Sequence, residues 1–150
     1  MAEQWDEDDD DRLIHQLYQT VRTFSKTLNQ SISAYGVYGS EWTVLNLIRH
    51  RDDCSQAVLI EYLGVEPAAI SKTLTKMEKK GIIARELRRG HRGKFIRLTG
   101  KGLQICEQIA AVVAGHRQQA LRALPVSGRR ELELVMMQLQ HNLLSEADKN

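Results

Sequence analysis

The chain has few of the residues that would make it disulfide-stapled, metal-bound or membrane-spanning. It carries two cysteines, Cys54 and Cys106, in 150 residues. Neither lies in a CxxC, and no histidine stands at metal-ligand spacing from either, so two reduced thiols are expected. Redox sensing by Cys54 or Cys106 is the less favoured alternative. Asp52 and Asp53 beside Cys54 would raise a thiol pKa that a sensor needs lowered. The five histidines, at 15, 50, 91, 116 and 141, form no His-x-x-x-His pair, and no glycine-rich phosphate loop is present. No metal, cofactor or catalytic centre is therefore expected, and the protein is not expected to be an enzyme. His116 is expected as a packed residue on an apolar face. No run of about 18 apolar residues exists, so no transmembrane helix or membrane partner is expected. The N-terminus is acidic rather than basic and then apolar, unlike a secretory signal, and the cytoplasm is the expected compartment. There are only two prolines, which favours helices. The length suits one domain.

What is present is concentrated between residues 55 and 99. Ser55 is placed to cap a short helix that carries Leu59 and Leu63 on one face. Gly64 suits a left-handed helix end, and Glu66-Pro67 suits the opening of a second helix. On that helix Ile70, Leu74 and Met77 follow i, i+4, i+7 and are expected inside. Ala68, Ala69, Ser71, Lys72, Thr75, Lys76 and Lys79 are left outside, small at first and basic further on. Gly81 ends the helix. Two helices joined by about three residues with a glycine form the helix-turn-helix pattern, whose second helix enters the major groove. A strand over 82–87, a loop Arg88-Arg89-Gly90-His91-Arg92-Gly93 and a strand over 94–98 follow, giving a basic ribbon, or wing.

The charge is local. Eleven basic residues lie between Lys72 and Lys101, opposed only by Glu78 and Glu86, a net of +9, whereas the whole chain is +2. Positive charge confined to one supersecondary unit is the footprint of a nucleic-acid site. A winged helix that binds protein instead is the rival reading, and it would want an apolar outer face on the second helix.

The rest of the chain is expected to be helical. Residues 3–11 carry seven acids and no base, a run expected to fray. A long helix is expected from about Asp11 to Tyr35, with Ile14, Leu17, Val21, Phe24, Leu28 and Ile32 on one stripe. A helix from about 41 to 50, capped by Ser40, should turn Trp42, Leu45 and Ile48 inward. Thr99 is the cap of a further helix that reaches about Leu124 with Ile105, Ile109, Val112, Val113 and His116 on its apolar side. Pro125–Gly128 is an expected break. A last helix over about 129–145 should turn Leu132, Val135, Leu139 and Leu143 inward. Such terminal stripes suit packing against a second copy, hence a homodimer presenting two recognition helices about 34–36 Å apart to a near-palindromic site.

This order of elements, with Glu41-Trp42, Ser55-Gln56, Met77-Glu78-Lys79-Lys80-Gly81-Ile82-Ile83, the arginine-rich wing and Leu98-Thr99-Gly100-Lys101-Gly102, resembles the MarR family of bacterial transcription regulators over residues 12–145. The resemblance implies a mainly α fold with a small β-wing: a winged helix-turn-helix lobe over 40–99, flanked by N- and C-terminal dimerisation helices over 12–35 and 103–145. It implies a repressor on double-stranded DNA, released by a small and often aromatic effector. The family's DNA-facing positions fall on Ala69, Ser71, Lys72, Thr75 and Lys76, and its wing arginine on Arg92. An aspartate that often braces that arginine is replaced by Gly90, so Arg88 or Arg89 is expected to share its task. The peroxide-sensing members carry a reactive cysteine near the start of the first helix, and this chain has none there. The full expected contact set is Ser55, Gln56, Ala68, Ala69, Ser71, Lys72, Thr75, Lys76, Arg88, Arg89, Arg92 and Lys94. For an effector, Tyr35, Tyr38 and Trp42 stand where an aromatic ligand could stack, or else simply pack at a helix corner.

Overall fold

The computed structural model describes residues 5–52 and 54–147. The elements run α1 (Glu7–Ile32), a 3-10 turn (Ser33–Tyr35), α2 (Gly39–Arg49), α3 (Gln56–Leu63), α4 (Pro67–Lys79), β1 (Ile83–Leu87), β2 (Lys94–Leu98), α5 (Gly100–Ala120) and α6 (Val126–Ala147). This is a winged helix-turn-helix with long terminal helices. The chain divides into two compact units, one up to His116 and one from Arg117 onward.

In the first unit, α1 starts earlier than the charge pattern suggests. The Asp6 side chain accepts the Asp9 backbone N–H at 3.1 Å, and the Asp9 side chain accepts that of Asp6 at 3.1 Å. This capping box, with Glu7, Asp8, Asp9 and Asp10 at the positive end of the dipole, makes an acidic run begin a helix instead of fraying. Glu3 lies outside the described residues. The expected apolar stripe forms, but Ile14, Leu17, Val21 and Phe24 remain exposed in the single chain, and only Ile32 at the far end is buried.

Ser40 does not cap α2. The helix begins two residues sooner, at Gly39, whose N–H is taken by Asn29 Oδ1 at 2.6 Å, and the Tyr38 N–H is taken by Glu41 Oε2 at 3.0 Å. Trp42, Leu45 and Ile48 enter the core as expected, with Leu59, Leu74 and Met77. The wing is antiparallel, registered from Ile83 opposite Leu98 to Leu87 opposite Lys94. Ile82 lies just before β1 and is buried with Ile83. Ile83 and Ile96 anchor the ribbon, and the Ile96 N–H reaches the Cys54 carbonyl at 2.8 Å.

Thr99 caps α5, its Oγ1 accepting the Gly102 N–H at 3.1 Å. Gly102 has no room for a side chain, since a Cβ there would stand 2.0 Å from the Ile82 carbonyl oxygen. On the apolar side of α5, Ile109 and Val113 are buried and His116 is half-buried. The His116 Nε2 lies 2.8 Å from Thr27 Oγ1, and its ring meets Phe24 edge-on at 4.6 Å.

In the second unit α5 ends at Ala120, four residues short of the expected end. The proline is no break within the helix. Pro125 precedes α6, and its carbonyl accepts the Arg129 N–H at 3.1 Å, so Val126–Gly128 form the first turn. Arg129 closes the connection by donating to the Leu121 and Leu124 carbonyls, each at 3.0 Å. Leu132, Val135 and Leu143, expected inward, stand exposed, and only Leu139 among the four is half-buried. Their stripe has no cover among the described residues.

Candidate nucleic-acid interface

The turn between α3 and α4 follows its local chemistry. Ser55 Oγ accepts the Val58 N–H at 3.2 Å and fixes the start of α3. Gly64, at φ +59°, takes the left-handed cap that a side chain would resist. Pro67 occupies the first turn of α4, where its missing N–H costs nothing. Ile70, Leu74 and Met77 are buried as expected. Ala68, Ala69, Lys72, Thr75 and Lys76 are exposed and Ser71 is half-buried, so α4 offers a face that is small at its N-terminal end and basic beyond it.

The eleven basic residues are not equivalent. Lys80 pairs with Glu41, Arg85 lies 3.2 Å from Glu78 without hydrogen-bond alignment, and Arg97 pairs with Glu86. The Lys101 ammonium donates to the Lys80 carbonyl at 2.8 Å. Arg88, expected at the wing tip, instead lies over the Phe95 ring at 4.3 Å and donates to the Asp52 carbonyl. That leaves Lys72, Lys76, Lys79, Arg89, Arg92 and Lys94, which are exposed and pair with no carboxylate among the described residues. Cations without an internal partner are the ones available to phosphates.

Two expected contact residues have prior engagements. The Thr75 hydroxyl donates to the Ser71 carbonyl at 2.9 Å and accepts from Arg85 Nη2 at 3.2 Å. Ser55 is half-buried with its hydroxyl in the α3 cap, and Gln56 is half-buried beside it. The wing tip turns through Gly90 (φ +78°) and Gly93 (φ +92°). A side chain at position 90 would be strained in this left-handed conformation.

Sequence reasoning missed the acid behind α4. Glu41 is 3% exposed and is the buried charged residue among the described residues. Its two oxygens accept from Lys80 Nζ at 2.7 and 2.8 Å. No periodicity marks a contact between residues 39 apart in sequence, each of an ordinary surface type.

The effector candidates separate. Trp42 is 5% exposed and belongs to the core, and Tyr35 packs partly against it. Tyr38 is 60% exposed. It borders a depression of about 350 Å³ that Asn29, Ser40, Glu41, Lys72, Thr73 and Lys76 complete. Cys54 and Cys106 are buried and form no disulfide. Burial holds the Cys106 thiol above its ordinary pKa, Arg49 opposing and Glu107 adding to the shift. Such a thiol is poorly primed for oxidation.

Together the fold and this surface define a winged-helix DNA-binding regulator. The profile of the MarR family matches residues 35–92. The chain is 31% identical to the HTH-type transcriptional regulator YwoH of Bacillus subtilis over 97 residues, 65% of this chain and 71% of that protein. Its fold is that of a mutant of MarR from E. coli in complex with operator DNA, with a TM-score of 0.79, 23% identity, and coverage of 85% of this chain and 93% of that one. It is also that of a MarR/EmrR family regulator from Acinetobacter sp. ADP1, with a TM-score of 0.82, 20% identity, and coverage of 91% and 97%. The protein belongs to the MarR family of transcriptional regulators.

Proposed function

We propose that the protein is a repressor that binds a near-palindromic operator as a homodimer and releases it when a small effector binds. The observation that carries this reading is the exposed face of α4, small at Ala68 and Ala69 and basic at Lys72 and Lys76. Small residues let the helix approach the groove floor, and the lysines reach bases or phosphates. Gln56, Ser71, Arg89, Arg92 and Lys94 complete the contact set, while Ser55, Thr75 and Arg88 act mainly by holding their neighbours. The likeness in fold to E. coli MarR on operator DNA supports the same docking.

The dimer is supported by apolar surface that the single chain leaves in water. Val21 on α1 is 57% exposed and Leu143 on α6 is 73% exposed, each within a longer stripe. A continuous stripe of exposed apolar side chains along a helix marks an interaction surface. For the effector, Tyr38 replaces Trp42 as the stacking residue. An aromatic acid beside it would meet Lys72 and Lys76 and compete with DNA for them.

The test is fluorescence anisotropy with a duplex selected from a random pool by this protein, against a scrambled duplex, across a salt series. A tight, sequence-dependent complex with a steep salt slope and a dimer mass in light scattering is the expected result. Equal weak binding to both duplexes would sink the operator reading. Derepression of a reporter behind the selected site on deletion of the gene separates a repressor from an activator.

A further inference from the structure

The C-terminal end of α4 is held by polar contacts on two sides, and one of them is built like a lock. All three N–H bonds of the Lys80 ammonium are used: two to Glu41 and one to the Gly36 carbonyl at 2.9 Å. Glu41 is held in turn by the Tyr38 N–H. Gly36 presents its carbonyl from a left-handed turn at φ +71°. On the other side, Thr99 Oγ1 donates to the Gly81 carbonyl at 2.7 Å and Lys101 to that of Lys80. The N-terminal end of α4 has no side-chain cap. The helix is therefore fixed by directional bonds at one end and offered to a partner at the other.

Ile70, Leu74 and Met77 set how deep α4 sits by close packing, which has no preferred direction of its own. A hydrogen-bonded ion pair is directional. Residues 68–72 lie about ten residues from Lys80, roughly 15 Å along the axis, so a tilt of about 5° at the anchored end moves them by about 1.3 Å. Bidentate contacts to base edges do not survive such a shift, whereas long lysines still find phosphates.

We propose that Glu41 is a positioning residue for sequence reading: through Lys80 it sets the angle at which α4 leaves the α1–α2 corner, and it governs discrimination between sequences rather than affinity for DNA in general. The proposal rests on α4 being the base-reading helix, and the experiment separates the two. Binding of the full-length protein to the selected and scrambled duplexes is measured for the parent, Glu41→Gln, Lys80→Arg and Lys72→Ala, with melting curves alongside. Glu41→Gln keeps the shape and an acceptor for Tyr38. It is expected to fold and to lose about tenfold in the ratio of selected to scrambled binding. Its salt slope and scrambled affinity should not fall below those of the parent, because no phosphate-facing cation is removed. Lys80→Arg, which can still donate to the carboxylate, is expected to retain most of the discrimination. A Glu41→Gln ratio within twofold of the parent, while Lys72→Ala lowers it, would overturn the proposal and leave the pair a stability contact. Discrimination and affinity both unmoved by Lys72→Ala would instead overturn the reading of α4. If Glu41→Gln does not fold, Lys80→Gln, at a side chain 34% exposed, decides by the same ratio.

Discussion

Arg88 lies over Phe95, its guanidinium carbon 4.3 Å from the ring centroid, and His91 meets the same ring edge-on at 5.4 Å. The wing thus carries a small cluster of its own beneath the tip. Phe95→Ala is expected to release both neighbours, lowering stability by about 1–2 kcal/mol and operator affinity several-fold. Melting and anisotropy on one sample check this, and a wing that binds DNA as before would show that the cluster has no part in presenting Arg89 and Arg92.

Lys72→Ala and Arg92→Ala are each expected to weaken operator binding by about 1–3 kcal/mol where the side chain meets a base, with the melting temperature little changed. A side chain that meets only phosphate should lower the salt slope by about 1 and weaken all sequences alike. If both variants bind as the parent does while folded, the interface lies elsewhere.

Gly102→Ala puts a methyl group 2.0 Å from a backbone oxygen, which cannot swing aside as a side chain can. A loss of about 2–4 kcal/mol is expected in chemical denaturation. Gly115→Ala, on the same helix with nothing within 4 Å of the added carbon, should instead stabilise by up to about 1 kcal/mol. Equal effects would mean that α5 does not pack on Ile82 as described.

The raised Cys106 pKa sets a pH dependence with a definite sign. Below its ordinary value of 9.0 the thiol is protonated in both folded and unfolded chains and contributes no slope. Above it the unfolded chain loses the proton first, so stability falls as pH rises towards the folded value. Denaturation at pH 8 and pH 10 should show this fall, and Cys106→Ala should reduce it. Peroxide should leave DNA binding intact, and a loss of binding that Cys54→Ser or Cys106→Ser abolishes would restore the redox reading.

Leu17→Asp with Val21→Asp is expected to give a monomer in light scattering, with operator affinity lost far beyond scrambled affinity. A dimer that survives both changes would exclude this stripe from the interface.

Most of the lobe was legible because its signals are local. Ser55 and Thr99 cap the helices they precede, Gly64 and Pro67 fix the turn, and Ile70, Leu74 and Met77 find the core by spacing alone. What escaped depends on partners distant in sequence or on competition between local signals. Charge counting makes residues 6–10 repel one another, but backbone N–H groups recruit Asp6 and Asp9 first. Pro125 suggests a stop and serves as the entry to α6. The basic count over residues 72–101 overstates its reach, because Glu41, Glu78 and Glu86 each hold one of its cations. Thr75 and Arg88 have suitable types and suitable positions, yet both are partly occupied by neighbours that no pattern reveals.

The wing tip is tied to the body through its base and through Arg88, which reaches the Asp52 carbonyl. Ile83 and Ile96 fix the ribbon, while residues 89–92 turn through a left-handed glycine with His91 against the Phe95 ring. The tip is in this sense a replaceable cartridge. Exchange of those four residues can retune which grooves the protein prefers without refolding the lobe, so within such a scaffold operator preference can drift faster than the fold that carries it.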